Sequence, residues 1–282
     1  MCEVTIFEVG PRDGLQNEEK FVDTDIKIEL INRLSETGLK KIEVTSFVSP
    51  KWVPQMADAA EVMGGINRNP NVAYSALTPN LIGMEKAIAS GVDEVAIFAA
   101  ASETFSKRNI NCSIEESLQR FIPVMAMARE HNIAVRGYVS CVTHCPYDGE
   151  IAPSDVAQVS EALLKLGCYE ISLGDTIGKA APGDIKALLK VLLTSIPVEK
   201  LALHCHDTYE RALVNITAGL DMGIRTFDSS VAGLGGCPYA KGASGNVASE
   251  AVLEMLNEQG ISTGVDLEKL NDVASFIKNK LK

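Results

Sequence analysis

The sequence predicts an α/β fold, a closed (β/α)8 TIM barrel with additional C-terminal helices, and three observations carry that expectation. Eight short β-rich runs recur along the whole length. Segments of helical periodicity separate them, and glycines fall where those helices must stop. No Pro- or Ser-rich linker divides the 282 residues, so a single domain over residues 1–282 is expected, with residues 234–282 forming a C-terminal loop and helices packed on the barrel. Alternating βα units demand a parallel sheet with helices on its faces. A doubly wound open sheet is the alternative on the same pattern.

The elements follow in order. The first strand is read over Val4–Gly10, and after it Ile26, Leu30, Ile31 and Leu34 repeat at i, i+4, i+5 and i+8, one apolar helical face that Gly38 terminates. Strands over Lys41–Ser46, Val72–Thr78, Glu94–Ala100 and Ala134–Cys141 come next, with Gly91 as a further helix stop. Val156–Leu166 reads as a helix ended by Gly167, Tyr169–Thr176 as a strand, and Ile185–Leu193 as a helix. Strands over Leu201–Asp207 and Thr226–Gly233 complete the eight, with Gly223 between them. Beyond residue 233 a Gly-rich loop leads to helices near 246–258 and 267–281.

Composition narrows the function. Hydrophobic residues make up 46% of the chain, enough for a large core, and the formal net charge of -11 argues against nucleic acid as a partner. No apolar run approaches the roughly 20 residues that span a bilayer, so no membrane association is expected. The N-terminus enters a strand pattern at once, without a signal or transit peptide, and Asn-Lys-Leu-Lys is no peroxisomal tripeptide. A cytoplasmic protein is the expectation. The seven cysteines, at positions 2, 112, 141, 145, 168, 205 and 237, form an odd set without scaffold spacing and are expected as reduced thiols. Cys141, His144 and Cys145 lack the second paired cluster of a zinc site, and small residues near a strand end are the preferred reading.

A barrel gathers the polar residues at its strand C-termini onto one mouth. Here these are Arg12, Asp13, Glu43, Ser46, Thr78, Tyr138, Ser140, Asp175, Thr176, His204, His206, Asp207, Asp228, Ser229 and Ser230. His204 and His206 occupy positions i and i+2, which share one face of a strand, and two imidazoles side by side suit a divalent metal. A hydrogen-bonded structural pair is the plainer alternative. Asp13 would add a carboxylate and Asn246 an amide oxygen, an O/N donor set that favours Mg²⁺ or Mn²⁺. Asp13 is equally a turn residue before Gly14, and Asn246 a helix N-cap. Arg12 carries a permanent charge for an oxyanion or carboxylate, with Glu43 as its orienting partner; an ion pair without chemistry is the alternative. Four glycines within residues 233–242, with Pro238 and Cys237, predict a mobile loop over the mouth. Cys237 is then either a reactive thiol near a cation or an inert loop residue.

Long blocks of the chain closely resemble the 3-hydroxy-3-methylglutaryl-CoA lyase family: residues 8–18 (Glu-Val-Gly-Pro-Arg-Asp-Gly-Leu-Gln-Asn-Glu), 45–56, 137–141, 172–178, 203–209 and 229–240 (Ser-Ser-Val-Ala-Gly-Leu-Gly-Gly-Cys-Pro-Tyr-Ala). The resemblance runs from the first strand to about residue 280. It implies cleavage of (S)-3-hydroxy-3-methylglutaryl-CoA to acetyl-CoA and acetoacetate by a divalent-metal-assisted retro-Claisen reaction, in leucine degradation and ketone-body formation. It further implies Asp13, His204, His206 and Asn246 as metal ligands, and Arg12 on the enolate oxygen. Cys237 would act in proton transfer, with Glu43 and Asp175 supporting the site. Asp175 or His204 would be the base. Gln16, Ser46, Tyr138, Ser140 and Thr176 are expected to contact the acyl-CoA substrate along with Arg12, and a homodimer is implied. Related metal-dependent synthases and aldolases share the Arg-Asp and His-x-His elements, so such an enzyme on the same barrel is the rival. A non-catalytic metal- or CoA-binding barrel is a more distant one.

Overall fold

A computed structural model describes residues 4–18, 20–236 and 245–282 of the chain. Eight parallel strands close into a barrel in chain order: β1 (Thr5–Glu8), β2 (Lys41–Ser46), β3 (Ala73–Leu77), β4 (Glu94–Ala100), β5 (Ala134–Ser140), β6 (Ile171–Asp175), β7 (Leu201–Cys205) and β8 (Thr226–Ser229), with β8 returning to β1. Helices α1 (Thr24–Ser35), α2 (Ala59–Gly65), α3 (Leu81–Ala89), α4 (Glu103–Ile110), α5 (Ile114–Glu130), α6 (Pro153–Leu166), α7 (Pro182–Leu192) and α8 (Ala212–Asp221) lie between the strands, and α9 (Ser249–Glu258) and α10 (Leu267–Leu281) follow them. The closed order excludes the doubly wound sheet. A short antiparallel hairpin, His144–Cys145 with Gly149–Glu150, decorates the connection after β5.

Every predicted strand contains an observed one. β2 and β4 match to the residue, while β8 stops at Ser229 because Ala232 takes a left-handed φ of 62° inside a short turn, Val231–Gly233, that no strand accommodates. The helix expected near 246–258 begins only at Ser249, after Ala248 in the N-cap position.

Period-2 alternation divides each strand between two environments. Ile6, Ile42, Val95, Ile97, Val135, Val139, Ile171, Leu173, Leu201, Leu203 and Phe227 face the helices and form one continuous core with residues such as Leu30, Leu34, Leu163, Leu188 and Ile216. Burying each such side chain contributes about 1.5–3 kcal/mol. The alternate positions face inward. In the upper barrel those are polar: Glu43, Arg136, Tyr138, Ser172, His204 and Asp228, all buried. A barrel interior normally holds branched aliphatics, so this polar filling marks where the fold gives up apolar packing. The five described cysteines, 112, 141, 145, 168 and 205, are free and buried. Among the described residues no helix is long and apolar enough to cross a membrane.

Glu8 clasps the closing seam. Its carboxylate accepts from Gly10 N and Val231 N, each at 2.8 Å, and from Ser249 Oγ at 2.6 Å. Burial raises its pKa from 4.5 to about 7, more than these hydrogen bonds lower it. A carboxyl raised in the folded state contributes stability that is complete below pH 4.5 and lost as pH rises through about 7. Glu8→Gln keeps the shape and the acceptor but cannot ionise. Thermal melts of both proteins from pH 4.5 to 8 are therefore expected to show wild type losing stability relative to the variant as pH rises; parallel curves would reject the buried titration.

Candidate active site

β1 delivers the chain into a single π-helical turn, Gly10–Gly14, a device frequent at functional sites. The Val9 carbonyl accepts from Asp13 N at 2.8 Å and from Gly14 N at 3.2 Å. The turn sits so close to the loop after β8 that a Cβ on Gly14 would lie 2.7 Å from Leu234 Cβ. Only glycine permits this approach, and through it Arg12 and Asp13 project over the barrel mouth.

Arg12 is buried, with its Nε donating to Glu43 Oε2 on β2 at 2.5 Å and its Nη1 to Asp13 Oδ1. Its guanidinium lies 5.4 Å from the centroid of the Tyr138 ring. Burial disfavours the charge, yet Glu43 and Asp13 more than restore it and hold the arginine cationic. Burial also raises the Glu43 pKa against the pull of Arg12, and Glu43 Oε1 has no hydrogen-bond partner among the described residues. One permanently charged guanidinium is thus fixed at the mouth by two carboxylates.

His204 ends β7's inward face and His206 follows it two residues on, their ring centroids 5.2 Å apart. Cys205 between them turns to the helix-side core. His204 Nε2 lies 3.9 Å from Asp13 Oδ2, and one donor atom from each of Asp13, His204 and His206 falls within 4.8 Å of the others. Asn246 completes the group, its Nδ2 donating to Asp13 Oδ2 at 2.9 Å and to Leu234 O at 3.1 Å, while its backbone bridges His206. This settles the alternative for Asn246: it is no N-cap, because the helix starts three residues later and its amide is spent on the mouth. To ligate through Oδ1 the amide would have to turn and give up both of these hydrogen bonds.

The electrostatics fit a cation. Burial pushes the Asp13 carboxyl up, but Arg12, His204, His206 and the Asn246 hydrogen bond together hold it at about 2. Burial and neighbouring His204 lower His206 to about 4, leaving a neutral imidazole at pH 7 whose Nδ1 is buried without a hydrogen-bond partner among the described residues. Burial lowers His204 too, but Asp228 and Asp13 outweigh it and raise the net value. An ionised carboxylate and two imidazoles bring one donor atom each within 4.8 Å of the others, with the Asn246 amide beside them, and oxygen with nitrogen donors suits a divalent metal. Among the described residues, Cys141, His144 and Cys145 belong to no such group.

Gln16 joins this cluster, donating from Nε2 to Asp13 Oδ1 at 3.0 Å. Ser140 ends β5 half-buried, and Ser46 is buried with its hydroxyl on Leu77 O at 3.4 Å. Tyr138 is buried inside the barrel, its hydroxyl 3.3 Å from Arg136 Nη1. Thr176 Oγ1 accepts from Cys141 N at 2.8 Å. Asp175 pairs in register with Cys205, not with His204, and its carboxylate accepts from Ala180 N at 3.0 Å and Thr143 Oγ1 at 3.3 Å. Its burial raises its pKa. The structure therefore joins Arg12, Asp13, Gln16, Glu43, His204, His206 and Asn246 at the mouth, and ties Asp175 and Thr176 into the adjoining loops. Cys237 lies outside the described residues.

Sequence reasoning placed Asp228 among the mouth residues without a role of its own, and singled out neither Glu8 nor Arg136. The available signal was a charge in mid-strand, which is costly unless paired. Arg136 forks onto Asp228 with Nη2–Oδ1 at 2.8 Å and Nη1–Oδ2 at 3.0 Å, and Asp228 Oδ2 lies 3.1 Å from His204 Nδ1. Burial pushes the Asp228 carboxyl up, but Arg136 and His204 overcome it and hold it far below the usual carboxylate range.

The geometry agrees with what the chain is similar to. Residues 3–277 match the family model described as HMGL-like. A relative named hydroxymethylglutaryl-CoA lyase, mitochondrial, from Gallus gallus is 62% identical over 278 residues, 99% of this chain and 93% of the relative. The crystal structure of the HMG-CoA lyase from Brucella melitensis superposes with a TM-score of 0.97 at 55% identity, covering 98% of each chain. That of an HMG-CoA lyase from Acinetobacter baumannii, in complex with coenzyme A and 3-methylmalate, gives 0.94 at 38% identity over 99% of this chain and 91% of the other. The chain belongs to the HMGL-like family.

Proposed function

We propose that this chain is a carbon–carbon lyase that cleaves (S)-3-hydroxy-3-methylglutaryl-CoA between C2 and C3, releasing acetoacetate and acetyl-CoA. The observation that carries the reading is the convergence of Asp13, His204 and His206 donor atoms within 4.8 Å, beside the buried guanidinium of Arg12. Asp13, His204, His206 and Asn246 would hold Mg²⁺ or Mn²⁺. When bound, such a cation supplies Lewis acidity to the substrate's 3-hydroxyl.

The chain's own residues do the rest. Arg12, held by Glu43 and Asp13, is aimed before the reaction at negative charge that grows on the thioester oxygen as the bond breaks. Such preorganised charge costs no reorganisation in the transition state. Glu43 orients Arg12, and Gln16 orients Asp13. Asp175 supports the site by anchoring the loop that follows β6 through Ala180. Cys237 is assigned proton delivery to the enolate carbon, and Ser46, Tyr138, Ser140 and Thr176 the acyl-CoA side of the mouth. The whole chain is read as one catalytic domain, working as a cytoplasmic homodimer in leucine degradation and ketone-body formation.

Incubating the purified protein with hydroxymethylglutaryl-CoA and Mg²⁺ is expected to yield acetyl-CoA and acetoacetate in equal amounts. EDTA should abolish both, and added Mg²⁺ or Mn²⁺ should restore them. Product formation unaffected by chelation, or activity only in condensing an acyl-CoA with a 2-oxo acid, would reject the assignment.

A further inference from the structure

Behind His204 lies a buried polar chain that the mechanism above leaves unused. Asp228 on β8 is 1% exposed and receives three neighbours at once. Ser172 Oγ on β6 donates to its Oδ2 at 2.7 Å, Arg136 on β5 forks onto both of its oxygens, and His204 Nδ1 on β7 lies 3.1 Å from Oδ2. Arg136 is itself 1% exposed, anchored by Glu170 Oε1 at 2.8 Å and stacked with its guanidinium carbon 4.1 Å from the Phe7 ring centroid. Four strands thus spend a buried ion pair on one carboxylate whose remaining contact is an imidazole nitrogen.

A neutral imidazole carries one N–H, and the partner of one nitrogen decides which nitrogen keeps a lone pair. Asp228, ionised against Arg136, only accepts, so His204 Nδ1 must donate. The lone pair then sits on Nε2, the nitrogen 3.9 Å from Asp13 Oδ2. We propose that Asp228 is the positioning residue of this centre, selecting the Nδ1–H form of His204 and aiming Nε2 at the cation, with Arg136 and Ser172 holding Asp228 in place. The inference rests on the metal-site reading and adds the residue that makes one of its ligands competent. Carboxylates that orient ligating histidines are typically worth about 10–100-fold in metal affinity.

Asp228→Asn weakens the acceptor that selects Nδ1–H. One neutral amide oxygen replaces two ionised ones for the four hydrogen bonds that Asp228 accepts from Arg136, Ser172 and His204. Mn²⁺ affinity of the whole chain, measured without substrate by electron paramagnetic resonance, is expected to fall about 10–100-fold in this variant. Ser172→Ala, which leaves the carboxylate and Arg136 in place, is expected to retain affinity within about 3-fold, a small part of that loss. ¹⁵N NMR of metal-free protein in mildly alkaline buffer reads the tautomer directly: Nδ1–H for His204 in wild type, with a larger Nε2–H share in Asp228→Asn. Equal Mn²⁺ affinity in wild type and Asp228→Asn would overturn the proposal. So would an Nε2–H tautomer in wild type, an outcome that stands even where the variant does not fold. Wild type that binds no Mn²⁺ while His204 is Nδ1–H would instead overturn the metal-site reading on which the proposal rests.

Discussion

Arg12→Gln is expected to lower kcat by about 10²–10³-fold or more, the cost of removing one preorganised oxyanion donor, while Mn²⁺ binding persists. The size follows from the setting. Arg12 is buried and aimed by two carboxylates, so its charge acts where water screens it little. Glutamine keeps part of the side chain's length and a donor but not the charge. The substitution also strands Glu43, which is fully buried and whose pKa burial already raises; protonation of that carboxyl relieves the stranded charge, so the variant should fold. Arg12→Lys separates charge from geometry, because an ammonium cannot reproduce the planar fork that engages Glu43 and Asp13 together. It should recover only part of the lost rate. Steady-state turnover of both variants with saturating Mg²⁺, beside their thermal melts, makes the comparison. Turnover of Arg12→Gln near wild type would remove Arg12 from the reaction.

His206→Ala is expected to weaken Mn²⁺ binding by about 100-fold or more, since even partners outside the ligand set cost about 10–100-fold. His206 is the clearest of the proposed ligands. Burial and His204 keep it neutral down to about pH 4, and its buried Nδ1 finds no hydrogen-bond partner among the described residues. A buried polar atom without a partner normally costs about 1–3 kcal/mol, a cost that goes with the imidazole, whereas truncating the ring leaves a cavity that costs stability. The two oppose each other, so the metal-free variant should melt within about 5 °C of wild type. Titration of Mn²⁺ with both proteins checks the first expectation and calorimetry the second. Unchanged affinity would strike His206 from the ligands.

Much of this was legible in the chain itself. Period-2 runs and glycine stops located all eight barrel strands, because those signals are local and a parallel strand covered by helices must be apolar on that face. His204 and His206 share a face for the same local reason. Asp175 was legible as a mouth residue but not in its orientation: one position of register places it with Cys205 on the helix side of β6 and β7. Asn246 carried two readings, of which local pattern preferred the helix N-cap, and the bridge to His206 and the later helix start decided against it. Arg136 and Asp228 stood in the sequence as charges inside strands, without any sign that they were partners.

Sequence alone determined the number and order of the barrel strands and the rim from which reactive side chains emerge, since these follow from periodicity, backbone preference and the rule that parallel strands present their C-terminal ends together. Tertiary structure decided which of those side chains meet. Closure of β8 onto β1 carries Asp13 to His204 and Asn246, and the inward stacking of β5, β6, β7 and β8 builds the Arg136–Asp228–His204 chain. Such meetings depend on strand register and on loops packed against one another, which are long-range properties that no local pattern of residues encodes.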